Sequence, residues 1–208
     1  MKVTRIADGL WRWTGRHEEW RQEVGSVYVE TGDGVCLIDP LVPPEEPERF
    51  WEALDRDVAR AGGGVHVLVT VFWHTRHAAA MVERYDARVW APSRGRAPVA
   101  RRAGGVSDPF PPGAELPGGI AALGTARANE VVYHLPAQRT VVVGDVILGA
   151  EEGGLRLCPA GWLPARIGHD ELRASLRPLL ELDVERVLVS HGEPVLADGS
   201  AALAALLR

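Results

Sequence analysis

The sequence predicts an α/β fold, a four-layer αβ/βα sandwich. Three observations point there. Short strand-like runs open the chain and a helix follows them; strands and helices then alternate again in the second half. No repeat, linker or shift of composition separates the halves, so residues 1–208 read as a single domain. Third, Val65 to Val71 is a β-branched and aliphatic run bounded by Gly62-Gly63-Gly64. It breaks into a polar turn holding His74 and His77, and the helix formers Ala78 to Tyr85 follow. That unit sets imidazoles at a strand end, where α/β folds place their chemistry.

In order, Val3 to Ala7 and Leu10 to Thr14 read as strands joined at Asp8-Gly9. Arg16 to Glu23 is polar and reads as a surface loop, with Trp20 inside it. Ser26 to Thr31 and Val35 to Asp39 form a hairpin about Gly32-Asp33-Gly34. Pro43 to Ala61 reads as a helix: Glu45, Glu46 and Glu48 suit its positive end, and Phe50, Leu54 and Val58 make a buried stripe. Trp51 beside that stripe reads as core packing. Ala87 to Ala91 is a strand, and Pro92 to Gly119, rich in Pro, Gly and Arg, reads as a long loop. Its Arg94, Arg96, Arg101 and Arg102 would either hold an anionic substrate group or belong to a solvated loop or short helix. Ile120 to Leu123, Glu130 to Leu135, Arg139 to Val143 and Leu155 to Cys158 are further strands. Asp170 to Leu182 is helical but should kink or split at Pro178, which removes a hydrogen bond. Val187 to Val189 is the last strand, delivering Ser190-His191-Gly192, and Ser200 to Leu207 is a terminal helix.

Composition narrows the function. The 208 residues carry a formal charge of -5, which argues against a general nucleic-acid binder. Hydrophobic content of 46% and charged content of 25% are those of a soluble globular protein. Two cysteines, Cys36 and Cys158, make neither a disulfide framework nor a thiolate metal site. No leader and no apolar run near 18 residues is visible, so we expect no membrane association and a cytoplasmic protein.

The segment Phe72-Trp73-His74-Thr75-Arg76-His77 resembles the His-x-His-x-Asp-His turn of the metallo-β-lactamase superfamily, and the likeness runs nearly end to end. That resemblance implies seven metal-ligand positions, here Phe72, His74, Arg76, His77, Ala126, Asp145 and His191. It also implies that Asp39 supports the site from beneath; a turn-capping aspartate before Pro40 is the alternative. His134 lies inside a strand and reads as structural. His74, His77, Asp145 and His191 keep a ligating side chain. The first metal position, left with His74, should hold no zinc; the second keeps His77, Asp145 and His191, enough for one catalytic ion. Arg76 opposes that ion: at about 4 Å its charge would cost about 8 kcal/mol at an effective dielectric near 20. Turned inward, Arg76 would pair with Asp145 and stand in for the metal, with Phe72 and Ala126 making the cleft more apolar.

The expectation is therefore a degenerate site without dinuclear zinc and with no cofactor: a pseudoenzyme or small-molecule-binding protein. The alternative with one zinc or similar ion is a hydrolase acting on an ester, thioester, lactone or phosphoester. A third reading is a homodimeric interaction protein with a vestigial cleft.

Overall fold

The computed structural model describes residues 1–208. The first half of the chain runs β1 (Lys2–Ala7), β2 (Leu10–His17), β3 (Gln22–Thr31), β4 (Gly34–Ile38), α1 (Pro47–Ala61), β5 (Gly64–Leu68), α2 (Ala78–Tyr85), β6 (Arg88–Pro92), α3 (Arg96–Ala103) and β7 (Asp108–Phe110). Its strands form one seven-stranded sheet in sequence order. Pairing is antiparallel from β1 to β4 and parallel from β4 to β7. The second half adds β8 (Glu115–Leu116), β9 (Ile120–Gly124), β10 (Val131–Leu135), β11 (Thr140–Val143), β12 (Ile147–Gly149), β13 (Leu155–Leu157), α4 (His169–Leu176), β14 (Arg186–Val189) and α5 (Gly199–Leu207). Five of these strands form a second sheet ordered β14-β11-β10-β9-β8, with β14 parallel to β11.

Strand alternation builds the layers. Successive side chains of a strand point to opposite faces. Val35 and Leu37 of β4 join Val65 and Val67 of β5 against Phe50, Leu54 and Met81 of the helices α1 and α2. Cys36 and Ile38 point the other way, into a core shared with Ile120, Tyr133 and Val142 of the second sheet. Val141 and Val143 of β11 face outward onto Leu172 and Leu176 of α4 and Leu203 of α5. Helices, sheet, sheet and helices are thus separated by three apolar cores, which is the four-layer sandwich. No helix is long and apolar enough to cross a membrane.

The stretch 92–119 is more ordered than its composition suggests. Arg96–Ala103 is helical, because Val99 and Ala103 bury one side and Pro98 falls in the first turn, where a missing N–H is tolerated. Residues 16–23 also differ from a plain loop, since β2 and β3 pair out to His17 and Gln22. Helix α1 starts at Pro47 rather than Pro43, with proline in the first turn. Pro178 does end α4: the helix stops at Leu176 and Arg177–Glu181 continues as a 3₁₀ turn.

The halves are stitched where β5 leaves its sheet. Tyr133 Oη donates to Val69 O at 2.7 Å, and Val131 N donates to Thr70 O at 3.0 Å. These bonds set the strand exit carrying His74 against the second sheet.

Candidate metal centre

After β5 the chain passes through Phe72–Thr75 as one 3₁₀ turn, closed by His74 N donating to Val71 O at 2.8 Å. Arg76 follows with φ +42°, a left-handed conformation costly for a side-chain-bearing residue. This reversal parts the two histidines. His74 is fully buried and points between the sheets. His77 is exposed and borders a separate cavity of about 420 Å³ with His17, Glu18 and Arg76.

Tautomers decide which imidazole can ligate. His77 Nδ1 accepts the Val42 amide at 3.1 Å, so its proton sits on Nε2 and neither nitrogen offers a free lone pair. The structure groups His74, and not His77, with Asp145 and His191. His77→Ala should leave metal affinity within about threefold of wild type and cost about 1 kcal/mol of stability, the Val42 amide losing its acceptor; isothermal titration and denaturant melts check both.

His74 has the opposite tautomer. Its Nδ1 lies 2.9 Å from Asp39 Oδ2, a carboxylate already accepting Thr70 N at 2.9 Å and Thr70 Oγ1 at 2.6 Å. A carboxylate only accepts, so Nδ1 carries the proton. Asp39 thus sits under the site, as the resemblance implies, and orients His74. The His74 Nε2 lone pair then faces Asp145 Oδ1 at 3.1 Å, and His191 Nε2 reaches the same oxygen at 3.2 Å. Each of the three residues offers one ligand atom, all within 4.8 Å of one another. His74 Nε2 and Asp145 Oδ1 are buried without a hydrogen-bond partner.

Asp145 is held from three sides. Trp73 Nε1 donates to its Oδ2 at 2.6 Å, leaving Oδ1 to face the imidazoles. The amides of Asp145 and Val146 donate to Glu130 Oε1 at 2.6 and 2.8 Å. Glu130 Oε2 accepts Arg127 Nη1 at 2.7 Å; Arg127 also donates to Trp162 O at 2.6 Å and lies 5.3 Å from the Trp73 ring centroid. Burial pushes the Glu130 carboxyl up to about 7, against the pull of Arg127.

Charge balance follows. Burial lowers the His74 pKa, but Asp145 and Asp39 outweigh it, against Arg76, and raise it to about 9. Burial raises the Asp145 pKa, and His74 and His191 overcome that and hold it far below the carboxylate range. Without a bound ion, His74 therefore carries the missing proton. A histidine raised from 6.5 to about 9 gives its full stabilisation below pH 6.5 and loses it as pH rises through 9. Unfolding free energy of metal-stripped protein should fall by on the order of 3 kcal/mol between pH 6.5 and 9.5, read by denaturant titration.

The donor set also fits a metal. Zinc bonds of 2.0–2.1 Å in a tetrahedron put ligand atoms about 3.3 Å apart, close to the 3.1 and 3.2 Å separations seen here. Two imidazole nitrogens and one carboxylate oxygen would leave an ion one ligand short of four, and Asp145 and His191 border a cleft of about 350 Å³ lined also by Trp20, Gln22, Trp73, Arg127 and Trp162. Trp20 stacks on His17 at 3.9 Å and lies 5.8 Å from His74; Trp162, 44% exposed, lies 6.2 Å from His191.

The remaining sequence candidates fall elsewhere. Arg76 does not pair with Asp145. It donates to Gly25 O at 2.6 Å, Asp39 O at 2.8 Å, Ser26 Oγ at 3.2 Å and Ser190 Oγ at 2.6 Å, because the left-handed turn directs it beneath the site to neutral acceptors. Phe72 packs on Trp73 and under Arg102, with ring and guanidinium 5.4 Å apart. Ala126 donates its amide to Ser175 Oγ and packs against the second-half helical core, not the cleft. The arginines at 94, 96, 101 and 102 do not line the cleft either; Arg127 is its cation. Trp73, Arg127, Glu130 and Trp162 were not singled out. Trp20 alone left a trace, as an aromatic residue in a polar stretch.

No family model matches the sequence, and neither does any curated protein. Solved structures do match. A metallo-β-lactamase from Pontibacter korlensis superimposes with TM-score 0.70 at 19% identity, covering 99% of this chain and 98% of that one. VMB-1 gives 0.68 at 16%, covering 98% and 97%. The metallo-β-lactamase FIM-1 from Pseudomonas aeruginosa, in a mono-zinc form, gives 0.67 at 16%, covering 98% and 94%. The sandwich, its strand order and these superpositions agree: the chain has the metallo-β-lactamase fold.

Proposed function

We propose that the protein is a hydrolase holding a single divalent ion on His74, Asp145 and His191. One observation carries this reading: His74 Nε2 and His191 Nε2 converge on one buried oxygen, Asp145 Oδ1, at 3.1 and 3.2 Å. That cluster wants a positive charge in its midst: the His74 proton supplies it in the ion-free protein, and a metal would supply it while leaving one position open. The mono-zinc form described for FIM-1 is a precedent for single-ion occupancy on this fold.

A bound ion would polarise a carbonyl or phosphoryl oxygen and acidify water. The chain does the rest. Asp39 keeps the proton on His74 Nδ1, and Trp73 keeps Asp145 to one coordinating oxygen. Trp20 and Trp162 give the cleft indole walls for an apolar or aromatic body, and Gln22 offers an amide at the rim. Esters, thioesters, lactones and phosphoesters of modest size suit this arrangement. Binding to a site whose histidine is protonated displaces that proton. At pH 7 metal uptake should release close to one proton, and log affinity should rise with about unit slope up to about pH 9; calorimetry in buffers of different ionisation enthalpy measures it.

The test is metal content of protein purified without chelator and again after zinc loading, with turnover of aryl ester, thioester, lactone and phosphoester panels. One ion per chain and metal-dependent turnover are expected. Two ions per chain would overturn the reading. No ion after loading would favour a metal-free binding protein, in which the protonated His74 ring bridges Asp39 and Asp145 through its two N–H groups.

A further inference from the structure

His74 and His191 are oriented by different means. His74 is fixed through its ring, by Asp39. His191 Nδ1 is buried with no partner, so nothing bonded to that nitrogen orients the ring. Its other nitrogen meets Asp145 Oδ1 at 3.2 Å, and that approach depends on the main chain of the turn that carries the ring.

That turn is held by the other half of the chain. Arg12 of β2 is buried, and its Nη2 donates to Val189 O and Gly192 O, both at 3.3 Å. Arg76 Nη2 donates to Ser190 Oγ at 2.6 Å, while its Nη1 donates to Gly25 O at 2.6 Å. Between them, Gly25 N donates to Ser190 O at 2.7 Å. Gly25 must be glycine, since a Cβ there would lie 2.8 Å from both Arg12 Nη2 and Val189 O. From its own half the segment is tied by the pairing of Val189 with Val143 of β11 and by Gly149 N donating to His191 O at 2.9 Å. Gly192 closes the turn at φ +84°.

We propose that Arg12 and Arg76 are positioning residues for His191, two guanidiniums that clamp residues 189–192 and so aim its Nε2 at Asp145. A bidentate or forked guanidinium suits this because it grips several main-chain acceptors at fixed angles, which a lysine does not. The functional weight of the clamp rests on the single-ion reading above; its geometry does not.

The experiment uses the full-length protein, with Arg12→Met and the milder Ser190→Ala, which removes only the hydroxyl that Arg76 holds. Long-range ¹H–¹⁵N spectra of the histidine rings, recorded without metal, should show His191 shifted or broadened in both variants, with His66 and His134 unchanged. Cobalt titration should show affinity weakened about tenfold or more, the scale of a lost outer-sphere contact, with a changed visible spectrum. If Arg12→Met does not fold, Ser190→Ala decides. Unmoved His191 resonances overturn the proposal, as does wild-type cobalt affinity in a variant of a protein that takes up cobalt. A wild type that takes up none, with His191 displaced in the variants, overturns the single-ion reading and leaves the clamp standing.

Discussion

Asp145→Asn is expected to abolish zinc uptake at micromolar metal. Asp145 Oδ1 is the atom both imidazoles approach, at 3.1 and 3.2 Å. Losing an outer-sphere partner already costs roughly 10–100-fold in affinity, and losing the ligand itself costs more. The neighbouring indole makes this isosteric change severe. Trp73 Nε1 can only donate, so the new side chain must keep its oxygen toward Trp73. Its NH₂ then points at His74 and His191, putting protons where the ion would sit. The same amide removes the main charge that keeps His74 protonated, so the stability loss between pH 6.5 and 9.5 should shrink. Metal analysis and denaturant titration at several pH values read both effects. Retention of one ion with near wild-type affinity would remove Asp145 from the ligand set.

Glu130→Ala should be the most destabilising single change near the site. It strands the Arg127 cation, only 2% exposed, and leaves the Asp145 and Val146 amides without their acceptor. Breaking a buried pair from one side costs about 3–5 kcal/mol. For a domain of this length that is a fall in Tm on the order of 10 °C. Arg127→Met should cost less, and more at pH 8 than at pH 6. The Glu130 pKa is raised to about 7, so the protonated acid that forms below it tolerates a missing cation. Thermal melts at the two pH values test the order; equal losses for both variants at both values would contradict it.

Much of this architecture was legible in the chain. Alternating runs such as Val35 to Ile38 commit to two faces at once, and a pattern of period two needs no partner to be read. The break at Pro178 follows from one missing N–H. Helix α3 could be read only as one option beside a solvated loop, because its apolar side is only Val99 and Ala103, among arginines. At the site, His74, Asp145 and His191 were visible as a spaced set, and the structure brings them together. The choice between His74 and His77 was not visible. It depends on a left-handed Arg76 and on the Val42 amide 35 residues away, which fixes a tautomer. Glu130 and Arg127 were likewise unreadable: three apart, they look like any surface ion pair, and their remaining hydrogen-bond partners, the Asp145 and Val146 amides and Trp162 O, are main-chain groups that any sequence would supply.

The donors come from opposite sides of the sandwich. His74 follows β5 of the first sheet, while Asp145 and His191 follow β11 and β14 of the second. An ion gripped there would rivet one leaf to the other. Its escape would then be timed by the leaves drawing apart, not by three bonds breaking one after another. The residence time of the metal would so become a clock for breathing of the apolar seam around Tyr133 and Ile38.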